Sequence, residues 1–171
     1  MKGILKETRY CHYEEIIVYM LSWNCNMVDP QKLTAREMEK LFNFPIDKTD
    51  VVVVCLQEMV ELSSYNVLLG NNESIVNEWE KVIEKYLNDV GHDLGKSFVH
   101  LTSRDMVGIA TFVFISGALF NRVYKSEWHE VKTGFKNNLG NKGAILFFMQ
   151  IDSSFLTFTN CHLAAGEKAD Q

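Results

Sequence analysis

The 171-residue sequence has an excess of negative charge and few cysteines, and each of these features argues against a class of protein. Its net charge of −5 argues against a general nucleic-acid binder, which usually carries a basic surface. Its four cysteines form no CxxC pair and no cluster with histidine at zinc-ligand spacing. Cys25, Cys55 and Cys161 lie in apolar, strand-like runs, so we expect buried free thiols in a reducing compartment.

Long hydrophobic runs are also missing from the sequence. No run reaches membrane-spanning length, and the first ten residues lack the long apolar segment of a signal peptide, so we expect a cytosolic protein. There is no internal repeat, low-complexity tract or linker. A chain of this length with 47% apolar residues can form one domain with its own core, which is the organisation we expect.

The apolar pattern predicts a mixture of helices and strands. Residues 16–21 and 51–56 are rich in β-branched residues, and the second run is apolar on both faces, as in the middle of a covered sheet. A capping box, Thr34 to Glu37, starts a short helix, and an apolar stripe at helical spacing predicts a longer helix over 72–88. Further strands are predicted at 98–101, 109–120, 144–151 and 155–160, the last two forming a hairpin.

Six polar residues fall at the strand ends or in the flanking loops: Asn24, Asn26, Glu58, Asn141, Lys142 and His162. Each alone has an ordinary explanation, such as a polar turn or charge resuming where burial stops. The loop at 133–143, rich in glycine and asparagine, is either a phosphate cradle or a long hairpin turn with solvated lysines. Together, oxygen donors for a hard cation and a lysine and histidine for anionic oxygens suit metal-assisted attack on a phosphate ester.

Five short motifs in a fixed order carry a resemblance to a known family. They are Trp-Asn-Cys-Asn at 23–26, Leu-Gln-Glu-Met-Val-Glu-Leu at 56–62, Met-Val-Gly-Ile at 106–109, Thr-Gly at 133–134 continuing to Gly-Asn-Lys-Gly at 140–143, and His-Leu-Ala-Ala-Gly at 162–166. This order resembles the inositol polyphosphate 5-phosphatases of the endonuclease/exonuclease/phosphatase superfamily. The last two motifs distinguish that family from the nucleases of the superfamily.

The resemblance implies an α/β fold, a four-layer α/β sandwich of the deoxyribonuclease I-like type. It also implies Mg²⁺-dependent hydrolysis of the 5-phosphate of inositol polyphosphates or phosphoinositides. The family domain is much longer, so residues 1–171 correspond to its N-terminal portion, with the C-terminal portion absent. We therefore expect about half of the fold, one mixed sheet with helices on its outer face. An exposed apolar inner face would then favour self-association.

The resemblance also assigns roles to individual residues. Glu58 resembles the magnesium-binding glutamate, and Asn26 the asparagine that supports the metal and the attacking water, with Asn24 bracing it. His162 resembles the histidine that contacts the scissile phosphate. Asn141 and Lys142 resemble the loop at the rim of the substrate site, where the lysine faces a phosphate.

Three functional hypotheses remain open at this point. The first is a phosphatase acting on inositol phosphates or phosphoinositides, with peripheral membrane contact at the cytosolic face and no nucleic-acid partner. The second is a non-catalytic half-domain that binds phosphoinositide or a protein, because the family's Gly-Asp-x-Asn motif, with its water-activating aspartate, is missing from this sequence. The third is a nuclease of the same superfamily, against which the net charge and the Gly-Asn-Lys-Gly motif both argue.

Overall fold

The computed structural model describes residues 13–60, 73–106, 108–133 and 142–163. Within these ranges the chain forms two α-helices and seven strands, besides two short 3-10 helices. The helices are α1 (Ala35–Leu41) and α2 (Glu73–His92), and the strands are β1 (Val18–Asn24), β2 (Val51–Gln57), β3 (Phe98–Met106), β4 (Ile109–Ser116), β5 (Val123–Lys132), β6 (Gly143–Ile151) and β7 (Ser154–His162). None of the helices in this part of the chain is long and apolar enough to cross a membrane.

Four strands form a mixed sheet in the order β1-β2-β4-β3. β1 runs parallel to β2, with Asn24 opposite Gln57, whereas β4 is antiparallel to both of its neighbours. Every residue of β2 and β4 is buried. This confirms the prediction that the apolar run at 51–56 is a central strand covered on both faces.

Two helices cover the outer face of the mixed sheet. α2 buries the predicted stripe, including Trp79, Ile83 and Leu87, against residues of β2 and β4 such as Phe112. Burial of an Ile or Leu side chain of this kind contributes about 1.5–3 kcal/mol. α1 starts at the predicted capping box, in which Thr34 and Glu37 bond each other's backbone N–H groups. Both predicted helices are therefore confirmed, although α2 extends to His92.

A second, antiparallel sheet in the order β5-β6-β7 covers the inner face of the mixed sheet. Phe147 and Met149 of β6 pack there against Val53 and Val113. The expectation of a single mixed sheet is wrong, because the 144–160 hairpin is present as predicted but pairs with β5 in a sheet of its own. Periodicity within a strand does not encode which sheet it joins.

The second sheet also corrects the expectation of an open inner face. Among the described residues, apolar side chains of that face stay exposed at the two edge strands: Val18 and Met20 of β1 are 36% and 44% exposed, and Val99 of β3 is 37% exposed. One cysteine differs from expectation as well: Cys25 and Cys55 are buried free thiols, but Cys161 is exposed. Cys161 lies on the outer face of β7, which no described element covers.

Candidate active site

Glu58 lies one residue beyond the end of β2, at the edge where β1 also ends. Its backbone has a φ of +55°, a left-handed conformation that costs a residue with a Cβ roughly 1–2 kcal/mol. Two hydrogen bonds hold this conformation: Met59 N–H donates to Gly108 O at 3.1 Å, and Met27 N–H donates to Glu58 O at 2.7 Å. The chain therefore leaves the sheet in a fixed direction, and the carboxylate is about a third exposed.

The two asparagines form a tight turn beside Glu58. The Asn26 N–H donates to Asn24 Oδ1 at 3.2 Å, so the Asn24 side chain braces the turn. Asn26 and Met27 both have a positive φ, of 44° and 60°. Since Met27 bonds the carbonyl of Glu58, the two left-handed segments stabilise each other and bring exposed Asn26 next to the glutamate. Strained backbone of this kind is concentrated at functional sites.

Lys142 and His162 reach the same place from the second sheet. His162 ends β7 opposite Gly143, the first residue of β6, and Lys142 immediately precedes Gly143. The Nζ of Lys142 contacts Nε2 of His162, and Glu58 Oε1 lies 3.7 Å from the same nitrogen. A carboxylate from one sheet and a lysine and histidine from the other thus converge on one point.

Gly143 permits this placement of Lys142. Its φ is +151°, and a Cβ there would lie 2.0 Å from the carbonyl oxygen of Val131 on β5. A second contact stabilises the base of the loop, because Thr133 N–H donates to Lys142 O at 2.9 Å. β5 and β6 can therefore approach this closely only with glycine at position 143.

The surroundings of His162 favour its neutral form. Burial, and then the ammonium of Lys142, lower the pKa of the imidazole below its usual 6.5, while Glu58 acts in the opposite direction. A lysine ammonium has only donors, so Nε2 accepts from Lys142 and the ring proton sits on Nδ1. Burial raises the pKa of the nearby Cys25 thiol to about 11. Cys25 is therefore protonated near neutral pH and is a poor nucleophile or metal ligand.

The donors at this site fit a magnesium ion bound to few protein groups. Within the described ranges, no cluster of three or more His, Cys, Asp or Glu residues is placed to hold a metal. Mg²⁺, however, keeps several waters and is usually bound through one or two carboxylates and the phosphates of the substrate. At 3.7 Å from His162, Glu58 Oε1 is too distant for a hydrogen bond to that ring, and Asn26 offers an amide on the adjacent turn.

Most of the predicted site residues come together, but the set differs from expectation in two respects. Asn24, Asn26, Glu58, Lys142 and His162 lie at one end of the two sheets, whereas Asn141 falls outside the described residues, so its role stays a prediction. Sequence reasoning missed Gln57 and Asn160, two buried amides directly beneath the site. The signal was a polar residue at an inward-facing position of β7, two residues before His162.

Comparisons with known proteins find similarity to one family. A family model described as endonuclease/exonuclease/phosphatase family 2 matches residues 21–171. The chain is 27% identical over 161 residues to inositol-1,4,5-trisphosphate 5-phosphatase 1 of Schizosaccharomyces pombe, covering 94% of this chain and 14% of that protein. It is 28% identical to type IV inositol polyphosphate 5-phosphatase 9 of Arabidopsis thaliana, covering 87% of this chain and 39% of that protein.

A solved structure gives the same result at the level of the fold. The inositol polyphosphate 5-phosphatase domain of SPsynaptojanin, in complex with inositol (1,4)-bisphosphate and a calcium ion, matches with a TM-score of 0.80 and 26% sequence identity. The match covers 98% of this chain and 46% of that chain. The chain thus spans less than half the length of each of these three proteins.

Proposed function

This chain belongs to the endonuclease/exonuclease/phosphatase family 2, and from that membership we propose that it carries part of the active site of a magnesium-dependent phosphatase. The proposed reaction removes the 5-phosphate from inositol polyphosphates or phosphoinositides. Two similar proteins are named as inositol phosphate 5-phosphatases, and a similar solved domain is in complex with an inositol bisphosphate and calcium. Because the chain spans less than half of each relative, the complete reaction is part of the proposal.

The observation that carries this proposal is the convergence of Glu58, Lys142 and His162. The carboxylate comes from the mixed sheet, and the two nitrogen groups come from the second sheet. A carboxylate alone suits a divalent cation, and a lysine beside a histidine alone suits an anion. A site that contains the carboxylate together with the lysine and the histidine suits a phosphate ligand that is accompanied by a divalent cation.

Lys142 would contact the phosphate first, and His162 would contact it afterwards. In the free chain the ammonium of Lys142 donates to Nε2 of His162, so the histidine is neutral. A phosphate oxygen entering the site offers Lys142 a charged acceptor, and its negative charge raises the pKa of His162. His162 then takes a proton from solvent at Nε2 and donates a hydrogen bond to the oxygen on which charge develops.

Glu58 would hold the cation, with the Asn26 amide oxygen completing the protein's share of its ligands. When bound, Mg²⁺ supplies neutralisation of phosphate charge. Asn24 keeps the turn in place through its bond to the Asn26 N–H. The resemblance assigns activation of water to the aspartate of a Gly-Asp-x-Asn motif that this sequence does not contain, so the roles proposed for this chain are metal binding, phosphate binding and positioning.

Headgroup binding without turnover is the second candidate. It is favoured by the same lysine and histidine pair, which binds phosphate without needing an activated water. The reaction and the binding are separable by experiment, because Lys142 contributes to both whereas metal-dependent release of phosphate reports only the first.

The test measures phosphate release from a soluble inositol polyphosphate and from a short-chain 5-phosphorylated phosphoinositide, with Mg²⁺ or with EDTA. We expect any phosphate release to require Mg²⁺, and its rate to be about 10²–10³-fold lower in His162→Gln. The matched control is His129→Gln, an exposed histidine on the outer face of β5, which should leave the rate unchanged. Release that survives EDTA and His162→Gln contradicts the proposal.

Two other results would favour the remaining hypotheses. Headgroup binding that Lys142→Met weakens, without any release, favours the non-catalytic half-domain. Cleavage of DNA under the same conditions favours the nuclease.

A further inference from the structure

A buried pair of amide side chains joins the two sheets directly beneath the candidate site. Gln57, the last residue of β2, is 6% exposed, and Asn160 of β7 is 2% exposed. Gln57 Nε2 donates to Asn160 Oδ1 at 2.7 Å, across the space between the sheets. We refer to these two residues as the amide pair.

The amide pair also forms hydrogen bonds to strands other than β2 and β7, which carry it. Asn160 Nδ2 donates to Ala110 O of β4 at 2.9 Å and lies 3.3 Å from Leu56 O of β2. Gln57 Nε2 lies 3.3 Å from Ser22 Oγ of β1. The network therefore reaches three strands of the mixed sheet from a single strand of the second sheet.

The three side chains of this network, those of Gln57, Asn160 and Ser22, are close in sequence to residues of the candidate site. Gln57 immediately precedes Glu58, Asn160 lies two residues before His162, and Ser22 lies two residues before Asn24. Residues two apart in a strand share a face, so Asn160 and His162 both point from β7 toward the mixed sheet. A change in the separation of the amide pair would therefore change the separation of Glu58 from His162.

We propose that Gln57 and Asn160 are positioning residues whose hydrogen bond sets the distance between Glu58 on one sheet and Lys142 and His162 on the other. This inference rests on the proposed function, since it concerns the same site. Functional groups must be held to within about 0.5 Å, and here they come from two separate sheets. The apolar contacts between the sheets are not directional, whereas a buried amide hydrogen bond specifies one separation.

The test compares Asn160→Leu and Gln57→Met, which keep side-chain size but remove the amide, with Thr102→Val. Thr102 accepts a hydrogen bond from Trp128 Nε1 at 3.1 Å, which is another bond between the sheets, in the middle of β3. Urea unfolding measures stability, and calorimetric titration with Mg²⁺ measures binding. We expect all three variants to lose stability, but only the two amide variants to bind Mg²⁺ about tenfold more weakly.

A second measurement needs no metal. The N–H groups of Met27 and Met59 bond Glu58 O and Gly108 O, so their hydrogen exchange reports the order of the Glu58 turn. We expect faster exchange at both amides in Asn160→Leu and Gln57→Met than in Thr102→Val. If Asn160→Leu does not fold, the comparison of Gln57→Met with Thr102→Val carries the test. If both amide variants fold, the double variant should bind Mg²⁺ no more weakly than whichever single variant binds it less tightly.

The outcomes separate this inference from the proposed function. Parent-like Mg²⁺ affinity and amide exchange in the amide variants overturn the positioning role, even if Mg²⁺ binds the parent chain well. Equal loss of Mg²⁺ affinity in Thr102→Val also overturns it, because the effect would then follow stability alone. If the parent chain binds no Mg²⁺, the proposed function fails, and the exchange rates still decide whether the amide pair orders the turn.

Discussion

The two sheets differ in how completely they are covered. Every residue of β2 and β4 is buried, because helices cover one face of the mixed sheet and the second sheet covers the other. In β6, the central strand of the second sheet, buried residues alternate with half-buried ones, and Phe155 on the neighbouring strand is 64% exposed. The candidate site takes Glu58 from the first sheet and Lys142 and His162 from the second, so its geometry depends on how the half-covered second sheet packs on a sheet whose central strands are buried on both faces.

The largest expected effect is on the free energy of unfolding, and it tests the difference in burial between the two sheets. Phe112→Ala removes a fully buried ring from β4 and should lower the free energy of unfolding by about 3–5 kcal/mol. Phe155→Ala, on the outer face of β7, should change it by no more than about 0.5 kcal/mol. Urea unfolding of both variants measures the two values. Similar losses at both positions would mean that the outer face of the second sheet is covered in solution.

Glu58→Gln tests the contribution of the mixed sheet to the site. We expect Mg²⁺ affinity to fall at least about tenfold, because the carboxylate supplies the charge, with little change in stability since the group is about a third exposed. Calorimetric titration with Mg²⁺ checks this, and Glu127→Gln, on the outer face of β5, is the matched control. A large loss of stability with unchanged Mg²⁺ affinity would assign Glu58 a structural role.

Lys142→Met tests the contribution of the second sheet. A hydrogen bond from a charged group contributes about 1.5–3 kcal/mol, so affinity for an inositol phosphate should fall at least about tenfold. Lys125→Met removes an exposed lysine from the outer face of the same sheet and should leave affinity unchanged. Phosphorus NMR titration measures both. Equal losses would indicate that net charge, and not the position of Lys142, governs binding.

The smallest expected effect is the titration of His162. Its lowered pKa means that the unfolded chain binds a proton more readily than the folded chain. The neutral imidazole therefore contributes stability that is complete above about pH 6.5 and declines as pH falls toward the folded pKa. Lys142→Met should raise the pKa of His162 and Glu58→Gln should lower it further, both measured by NMR of the imidazole protons. Shifts of the opposite sign would show that the three groups are not in contact.

Several elements were predictable because their signals are local. The capping box at Thr34, the stripe around Trp79 and the apolar run of β2 each specify an element within a few residues. The family resemblance and the deoxyribonuclease I-like fold were also predicted from motif order, and both are confirmed by the family model and the SPsynaptojanin domain. The strand predicted at 109–120 was too long, because the chain turns after Ser116.

The candidate site was predictable as a set of residues but not as a geometry. Polar residues at strand ends identified Glu58, Lys142 and His162, but their spacing in sequence does not show that they meet at Nε2 of the histidine. Asn160 was not singled out because it reads as the polar end of a strand. Its partners, Gln57 and Ala110, lie 103 and 50 residues away in sequence.

The sequence by itself determined the helices, most of the strands and the residue types at the candidate site, because these depend on periodicity, caps and motifs that span a few residues. Only the tertiary structure decided that the hairpin of β6 and β7 joins β5 in a second sheet, and that Cys161 stays exposed on its outer face. It alone brought Glu58 within 3.7 Å of His162. The physical reason is that pairing and packing between distant segments depend on shape and burial across the whole core, and no local pattern encodes them.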